Sequence, residues 1–320
     1  MKLSRTALFI GTVLVSVAVS ANQTDAQANT WVDSSHQTVR TTLHDWVNTL
    51  DNWIGVPDPN KPATATLRVM MDSQWNHYDH LSFKPRVRLK VRLPGLKNRF
   101  SLVVGDESLD NELQGGAESS AARPIANKRR WDNQQNRDDN SSLALRWSAF
   151  KKSIDAEIDL DLGIRKWNDP YVRLKLAKDW QLTDSYSTRL EAIYRYGLDT
   201  RNYLRGNAEV RYTQDERHFI ANQVNVQYVH NDNEESTFWG NSLFRQHDYA
   251  NFKRLNYGIY TGGNFKNKNM HLNSYGPYVQ WRQPIWRQWL FIQPELTYYN
   301  NKDKDRDHAV GVFVRLEAIF

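Results

Sequence analysis

Between Phe83 and Leu93 the chain reads FKPRVRLKVRL, and no other stretch limits the fold as tightly. Side chains alternate across an extended strand, so Phe83, Val87, Leu89, Val91 and Leu93 share one face. Lys84, Arg86, Arg88, Lys90 and Arg92 share the other. The stretch after residue 153 repeats the pattern with opposite charge. There Ile154, Ala156, Ile158, Leu160, Leu162 and Ile164 oppose Asp155, Glu157, Asp159 and Asp161. Neither charged row can enter an apolar medium, because an unpaired buried charge is prohibitively costly. Each strand therefore separates an apolar environment from a polar one.

The same alternation recurs along the chain. Ala65, Leu67, Val69 and Met71 begin it, and Phe100, Leu102 and Val104 continue it beyond the Pro94-Gly95 turn. Leu143, Leu145, Trp147 and Ala149 follow; Val172, Leu174 and Leu176 oppose Arg173 and Lys175. Leu190, Ala192, Tyr194 and Tyr196 oppose Arg189, Glu191 and Arg195, and two more strands centre on Val210 and Val226. Weaker strands lie over residues 237–245, 255–265 and 273–282; residues 289–299 and the terminal run VGVFVRLEAIF complete the set. No helical layer is available to cover the apolar faces. Several strands run about 10 residues or more, the length a tilted strand needs to cross a bilayer, against roughly 5–6 in a soluble sandwich. The pattern predicts an all-β fold, a transmembrane antiparallel β-barrel of about fourteen strands, with about twelve as the alternative if the weak region pairs differently.

Composition agrees. A mean hydropathy of -0.73 suits strands that are apolar on one face only. The 12 Trp and 15 Tyr suit two interfacial girdles. Trp147, Trp180, Trp286, Trp289 and Phe320 fall at one interface, with Trp75, Tyr78, Trp167 and Tyr298 at the other. There is no cysteine, which removes disulfide and thiolate chemistry. The longest connection, residues 106–140, is too polar to pack a core and is expected on the outer surface. Its Lys128, Arg129, Arg130 and Trp131 form a candidate surface patch, read as a solvated loop.

At the N-terminus, Lys2 and Arg5 precede an apolar stretch from Ala7 to Val19 and then small residues, as a secretory signal peptide does. Residues 1–21 are assigned to it, with residue 28 as the alternative end. Residues 22–62 form a periplasmic segment and residues 63–320 the barrel. Within that segment Val39, Leu43, Trp46, Val47, Leu50, Trp53 and Ile54 recur at spacings of three and four, a short amphipathic helix ended by Gly55 and Pro57. The helix is a candidate plug through Val39, Leu43, Trp46, Leu50 and Trp53; it is otherwise a cover for the barrel mouth or a docking element for a periplasmic protein.

The leader, the helix ending LDNWIG, the hairpin RVRLKVRLPGLKNRF and the terminal aromatic together resemble a porin-like family of Gram-negative outer-membrane β-barrels with no assigned activity. The resemblance implies the bacterial outer membrane as location and the barrel as fold. It implies outer-membrane lipid, lipopolysaccharide and the barrel assembly machinery as partners, and it carries no catalytic residue.

The polar faces of such a barrel line its lumen. The basic row Arg86, Arg88, Lys90 and Arg92 and the acidic row Asp155, Glu157, Asp159 and Asp161 are separated by two strands. They lie on the order of 15–20 Å apart across part of the interior. Two opposed walls of that kind order water and select solutes; alternatively the acidic row pairs with Arg173 and Lys175 as a structural ladder. The leading expectation is a channel or uptake pore with a charged lumen for small hydrophilic or anionic solutes. A helix-plugged scaffold binding a periplasmic or surface partner is the second, and a lipid-active outer-membrane hydrolase the third. His271 with Ser274 is the nearest local approach to a Ser–His pair, and His77 with His80 sits in a polar turn. Neither carries an enzyme or a metal site. No cofactor, metal or nucleic acid is expected.

Overall fold

The computed structural model describes residues 31–54, 64–92, 99–107, 109, 140–151, 156–231, 234–266 and 269–320. Side chains are described except at 32, 50–54, 150, 151, 231 and 234. The leader, the linker before the first strand, Asp155 and the patch at 128–131 lie outside the described residues.

Fourteen antiparallel strands close into a single barrel. They are β1 (Thr64–Asn76), β2 (His80–Arg92), β3 (Phe100–Gly105), β4 (Ser142–Lys151), β5 (Ala156–Arg165), β6 (Asp169–Gln181) and β7 (Tyr186–Gly197). The second half is β8 (Arg201–Asp215), β9 (His218–Asn231), β10 (Glu234–Tyr249), β11 (Lys253–Lys266), β12 (Asn269–Pro284), β13 (Leu290–Asn301) and β14 (Arg306–Ile319). Every strand pairs with its sequence neighbours, and β1 meets β14 to close the ring. At that seam Leu67 and Phe320 exchange both backbone hydrogen bonds, at 3.2 and 2.9 Å. The fourteen-strand expectation holds, and the weak region supplies β10, β11 and β12 as full strands.

The alternation read from the sequence sets the two surfaces. Leu190, Leu204, Val210, Ile259, Leu296, Val310 and Leu316 stand exposed on the outer wall. An apolar belt of that extent on a closed barrel requires hydrocarbon as its solvent. Asp72, Arg86, Asp161, Arg173, Glu209, Gln246 and Arg315 are buried inside. Both ends of the barrel domain, Thr64 and Phe320, lie at one rim, and the longest connection, residues 106–141, leaves from the other.

Among the described residues one helix, α1 (Trp31–Ile54), precedes the barrel. It does not enter the lumen. Val47 is fully buried against Val91, with Ala65, Leu89 and Leu102 around it. Those four alternate with the lumen residues Thr66, Arg88, Lys90, Arg92, Ser101 and Val103 and so belong to the outer wall. His36 stacks on Trp289 and Phe320, and Arg287 holds Asp33 through two bonds of 2.6 Å. Val39 and Trp46, two of the expected plug residues, are exposed; Leu43 is half-buried. Leu50 and Trp53 lie on the helix, but their side chains are outside the described set. The helical period identified an apolar stripe, yet the helix seats itself on that stripe's edge, because the outer rim offers an aromatic pair and an arginine turn there.

Candidate functional site in the lumen

The interior divides into two walls of different chemistry. The first, from β14 through β1, β2 and β4 to β8, is built from charge pairs set by register. Asp72 lies opposite Arg315 and Lys84 in the strand pairing. Arg315 donates to both of its oxygens at 2.7 and 3.0 Å, and Arg86 donates to it at 3.3 Å. Asp161 lies opposite Arg146 on one side and Arg173 on the other. Arg146 makes a two-pronged contact of 2.7 Å per bond, and Arg173 adds a third at 2.9 Å. Cross-strand neighbours sit about 4.5–5.5 Å apart at Cβ, close enough for every such pair to form without distortion. Charge-assisted, two-pronged bonds of this kind also fix side-chain direction.

The predicted rows therefore do not confront each other bare. Arg86 and Arg88 are buried; Arg86 pairs with Asp72 and Asp106, and Arg88 donates to the Gly105 carbonyl at 3.1 Å. Lys90 is half-buried and Arg92 reaches the rim, exposed. In the acidic row Asp161 is held by two arginines, and Asp159 accepts from Ser148 at 2.6 Å. Glu157 faces Arg189 at 3.5 Å. Lys175 turns instead to Glu191 on β7, at 2.8 Å. Pairing at Arg86, Asp161 and Glu157 weakens the transverse field that two bare walls would create, because opposite charges close together largely cancel at a distance.

A second group was not legible as a site. β3 has six residues and stops at Gly105, where φ is +94°. A Cβ there would lie 2.0 Å from the Val87 carbonyl oxygen, so the position requires glycine. The chain then turns inward. Asp106 donates its N–H to Val87 O at 2.8 Å and accepts from Arg86 Nε at 2.6 Å. Glu107 reaches across the interior to Arg195 on β7 and stands 3.5 Å from Arg165 on β5. Leu109 is buried as well. The start of the long connection is thus inside the barrel, whereas its polarity had placed all of it outside. Asn140 closes the gap left by the short strand: its amide donates to Pro85 O at 2.7 Å and accepts from Val87 N at 2.8 Å.

The second wall spans β9 to β13. Phe219, Ala221, Phe244, Tyr260, Tyr278 and Tyr299 form one buried cluster facing inward. Phe219 meets Phe244 edge-on at 6.1 Å, and Tyr260 tilts against Tyr299 at 5.6 Å. Amides fill the spaces between. Asn256 donates to Gln280 at 3.2 Å and Gln280 donates to Glu295 at 2.8 Å, while Ser242 and Tyr278 share a hydroxyl bond of 2.8 Å. Two arginines join the walls. Arg211 lies over Phe219 at 4.2 Å and pairs with Glu209; Arg282 lies over Phe291 at 3.8 Å and pairs with Glu317.

Among the described residues, no three His, Cys, Asp or Glu side chains gather as a metal site. Ser274 donates its hydroxyl to the Asn300 carbonyl at 2.8 Å. In the first outer turn Asp79 takes two bonds from Arg306, at 2.7 and 2.9 Å. Those bonds from Arg306 hold the Asp79 carboxyl below the usual carboxylate range.

No family model matches the chain, and no curated protein matches it. Among solved structures it is similar to in-vitro folded OmpT, an outer membrane protein of Vibrio cholerae. There the identity is 10%, the coverage 83% of this chain and 99% of that one, and the TM-score 0.48. It is also similar to the outer membrane channel DcaP of Acinetobacter baumannii, at 8% identity, 83% and 99% coverage and a TM-score of 0.42. OccAB3 of Acinetobacter baumannii matches at 10% identity, 81% and 98% coverage and a TM-score of 0.43. These likenesses concern barrel architecture and bring nothing about solutes.

Proposed function

We propose that this chain is a narrow outer-membrane pore for small hydrophilic solutes, with its width set by the inward turn at Asp106–Leu109. Barrel size supports this reading. About eight strands are just filled by side chains, and about sixteen leave an open aqueous channel. Fourteen strands leave room for long side chains and a restricted path. The observation that carries the proposal is the Glu107–Arg195 contact, which ties the start of the outer connection, inside the lumen, to β7, four strands further along the charged wall. The apolar belt and the signal-like leader favour the outer membrane, with the rim bearing Thr64 and Phe320 on the periplasmic side.

Solute selection in this reading combines the arginines at the constriction, Arg165 and Arg195, with the aromatic and amide wall. Anionic or neutral hydroxylated solutes fit that pairing of cations, rings and planar amides better than cations do. Proteoliposome swelling tests it. Entry of small neutral and anionic solutes ahead of matched cations supports the pore, and absence of entry by all three rejects it.

The second reading, a closed barrel acting as a scaffold, has its own support. Asp72 and Asn256 are at 0% exposure, and Gln246 is at 1%, so parts of the lumen are packed to protein density. Swelling that stays absent after Glu107→Ala favours it.

A further inference from the structure

The outer face of α1 points to a second membrane contact that is separate from the strands. On the barrel, the contact line runs through His36 and Val47. His36 stacks on Trp289 at 4.1 Å and on Phe320 at 4.7 Å, and its Nε2 lies 3.1 Å from the Ile319 carbonyl oxygen. Val47 sits on Ala65, Val91 and Leu102 of β1, β2 and β3. Eleven helical residues span about 16 Å. The step from β14 to β3 is three strand spacings, roughly 14 Å. The helix therefore runs across the strand ends, along the rim and over the β14–β1 seam, and not up the wall.

Its two flanks differ. At about 100° per residue, Asp33 falls on one side of the His36–Val47 line, and Val39 and Trp46 fall on the other. Asp33 is bound to Arg287, in the turn between β12 and β13, which lies beyond the last outward row and marks the aqueous side. The opposite flank consequently faces the apolar belt. Val39 is 39% exposed and Trp46 46%, in continuity with the outer-wall residues Leu89 and Leu102 beside Val47. Thr41, Asp45 and Asn48 occupy the remaining arc, all exposed.

We propose that α1 lies in the plane of the periplasmic leaflet, with Val39 and Trp46 inserted at the headgroup–acyl boundary of the phospholipids next to the rim. A tryptophan is suited to that depth, with an apolar ring body and an N–H that reaches water. Apolar residues on one flank and polar residues on the other are what an in-plane helix requires. Held on the barrel by Val47, His36 and Asp33 and on the lipid by Val39 and Trp46, the helix braces the seam where the last strand meets the first. The proposal rests on the membrane reading of the barrel, and the test separates the two.

The chain has no cysteine, so single labelling sites are free of background. Spin labels at Val39→Cys, Trp46→Cys, Thr41→Cys and Asn48→Cys, with Leu296→Cys on the mid-wall as reference, are compared in phosphatidylethanolamine–phosphatidylglycerol vesicles. All five positions are on surfaces, and heat-modifiable gel mobility verifies that each variant is folded. Positions 39 and 46 are expected to be accessible to oxygen and shielded from a nickel chelate, as at 296, with 41 and 48 open to nickel. Nickel access at 39 and 46 while 296 stays oxygen-accessible overturns the helix proposal alone. Shielding of 39 and 46 from both reagents overturns it too, since that means contact with protein. Nickel access at 296 overturns the membrane reading itself.

Discussion

The two walls of the lumen both carry buried side chains and are held by different physics. From β14 through β8 the interior is a ladder of ion pairs, many of them formed between neighbouring strands, as Arg146, Asp161 and Arg173 show. From β9 to β13 it is a cluster of rings with amides between them, as Phe219, Phe244 and Tyr260 show. Removing one member of a charge triad leaves buried partners uncompensated, whereas trimming a ring leaves a cavity that neighbours partly fill. The charged wall should thus be brittle and specific in register, and the aromatic wall tolerant and adaptable. A solute path is better built on the second.

The largest effect that would break this comparison is expected at Asp161. Asp161→Ala leaves Arg146 and Arg173 buried beside each other and should cost about 3–5 kcal/mol of folding stability. Urea-dependent gel mobility in lipid or detergent reads the loss, and near-wild-type stability would remove the distinction between the walls. On the other wall, Tyr278→Phe deletes the bond to Ser242 and should cost only about 1 kcal/mol. It should, however, change solute flux in the swelling assay, whereas a conservative change in the charged wall away from the constriction should not.

Arg287→Ala comes next. It frees Asp33 and the start of α1 at the rim, and should raise protease cleavage within α1 while leaving the barrel's mobility unchanged. A barrel that loses heat-stable mobility in that variant would make the helix part of the folding core.

The smallest effect is at the outer rim. Arg306 lowers the Asp79 carboxyl in the folded state, so the pair stabilises the barrel above the ordinary carboxylate range. The contribution is lost as pH falls below about 4 and through the lowered value. A half-buried rim pair of this kind, still screened by solvent, is worth a few tenths of a kcal/mol, up to about 1. Asp79→Asn should remove that acid-dependent step from the unfolding midpoint, and an unchanged pH profile would show that the pair contributes nothing.

The walls also differ in how far the sequence revealed them. β2 and β5 were legible because their inward residues are charged and their outward residues aliphatic, so the period of two is unmistakable. β10, β11 and β12 read as weak strands because their inward residues include Phe238, Phe244, Tyr260 and Tyr278. Aromatic side chains on both faces erase the contrast between apolar and polar that marks a strand. Partners of the charged rows were only half visible. Arg173 could be placed beside the acidic row from chain order, but Arg146 could not be chosen without the β4–β5 register. The inward turn was hidden for a different reason: Asp106 and Glu107 are as polar as the rest of the connection, and only Gly105 after a six-residue strand hints at a change of direction. Helix α1 was legible as a helix, but its orientation depended on Trp289, Phe320 and Arg287, more than 200 residues away in the chain.

In the proposed pore the lumen conducts and the turn at Asp106–Leu109 sets its width. Single-channel conductance in planar bilayers tests it most directly, with the wild-type chain beside Glu107→Ala, which releases the turn from Arg195 and Arg165. Small, steady wild-type openings and a larger conductance in the variant are expected. Silence from both, or one conductance shared by both, would contradict the proposal.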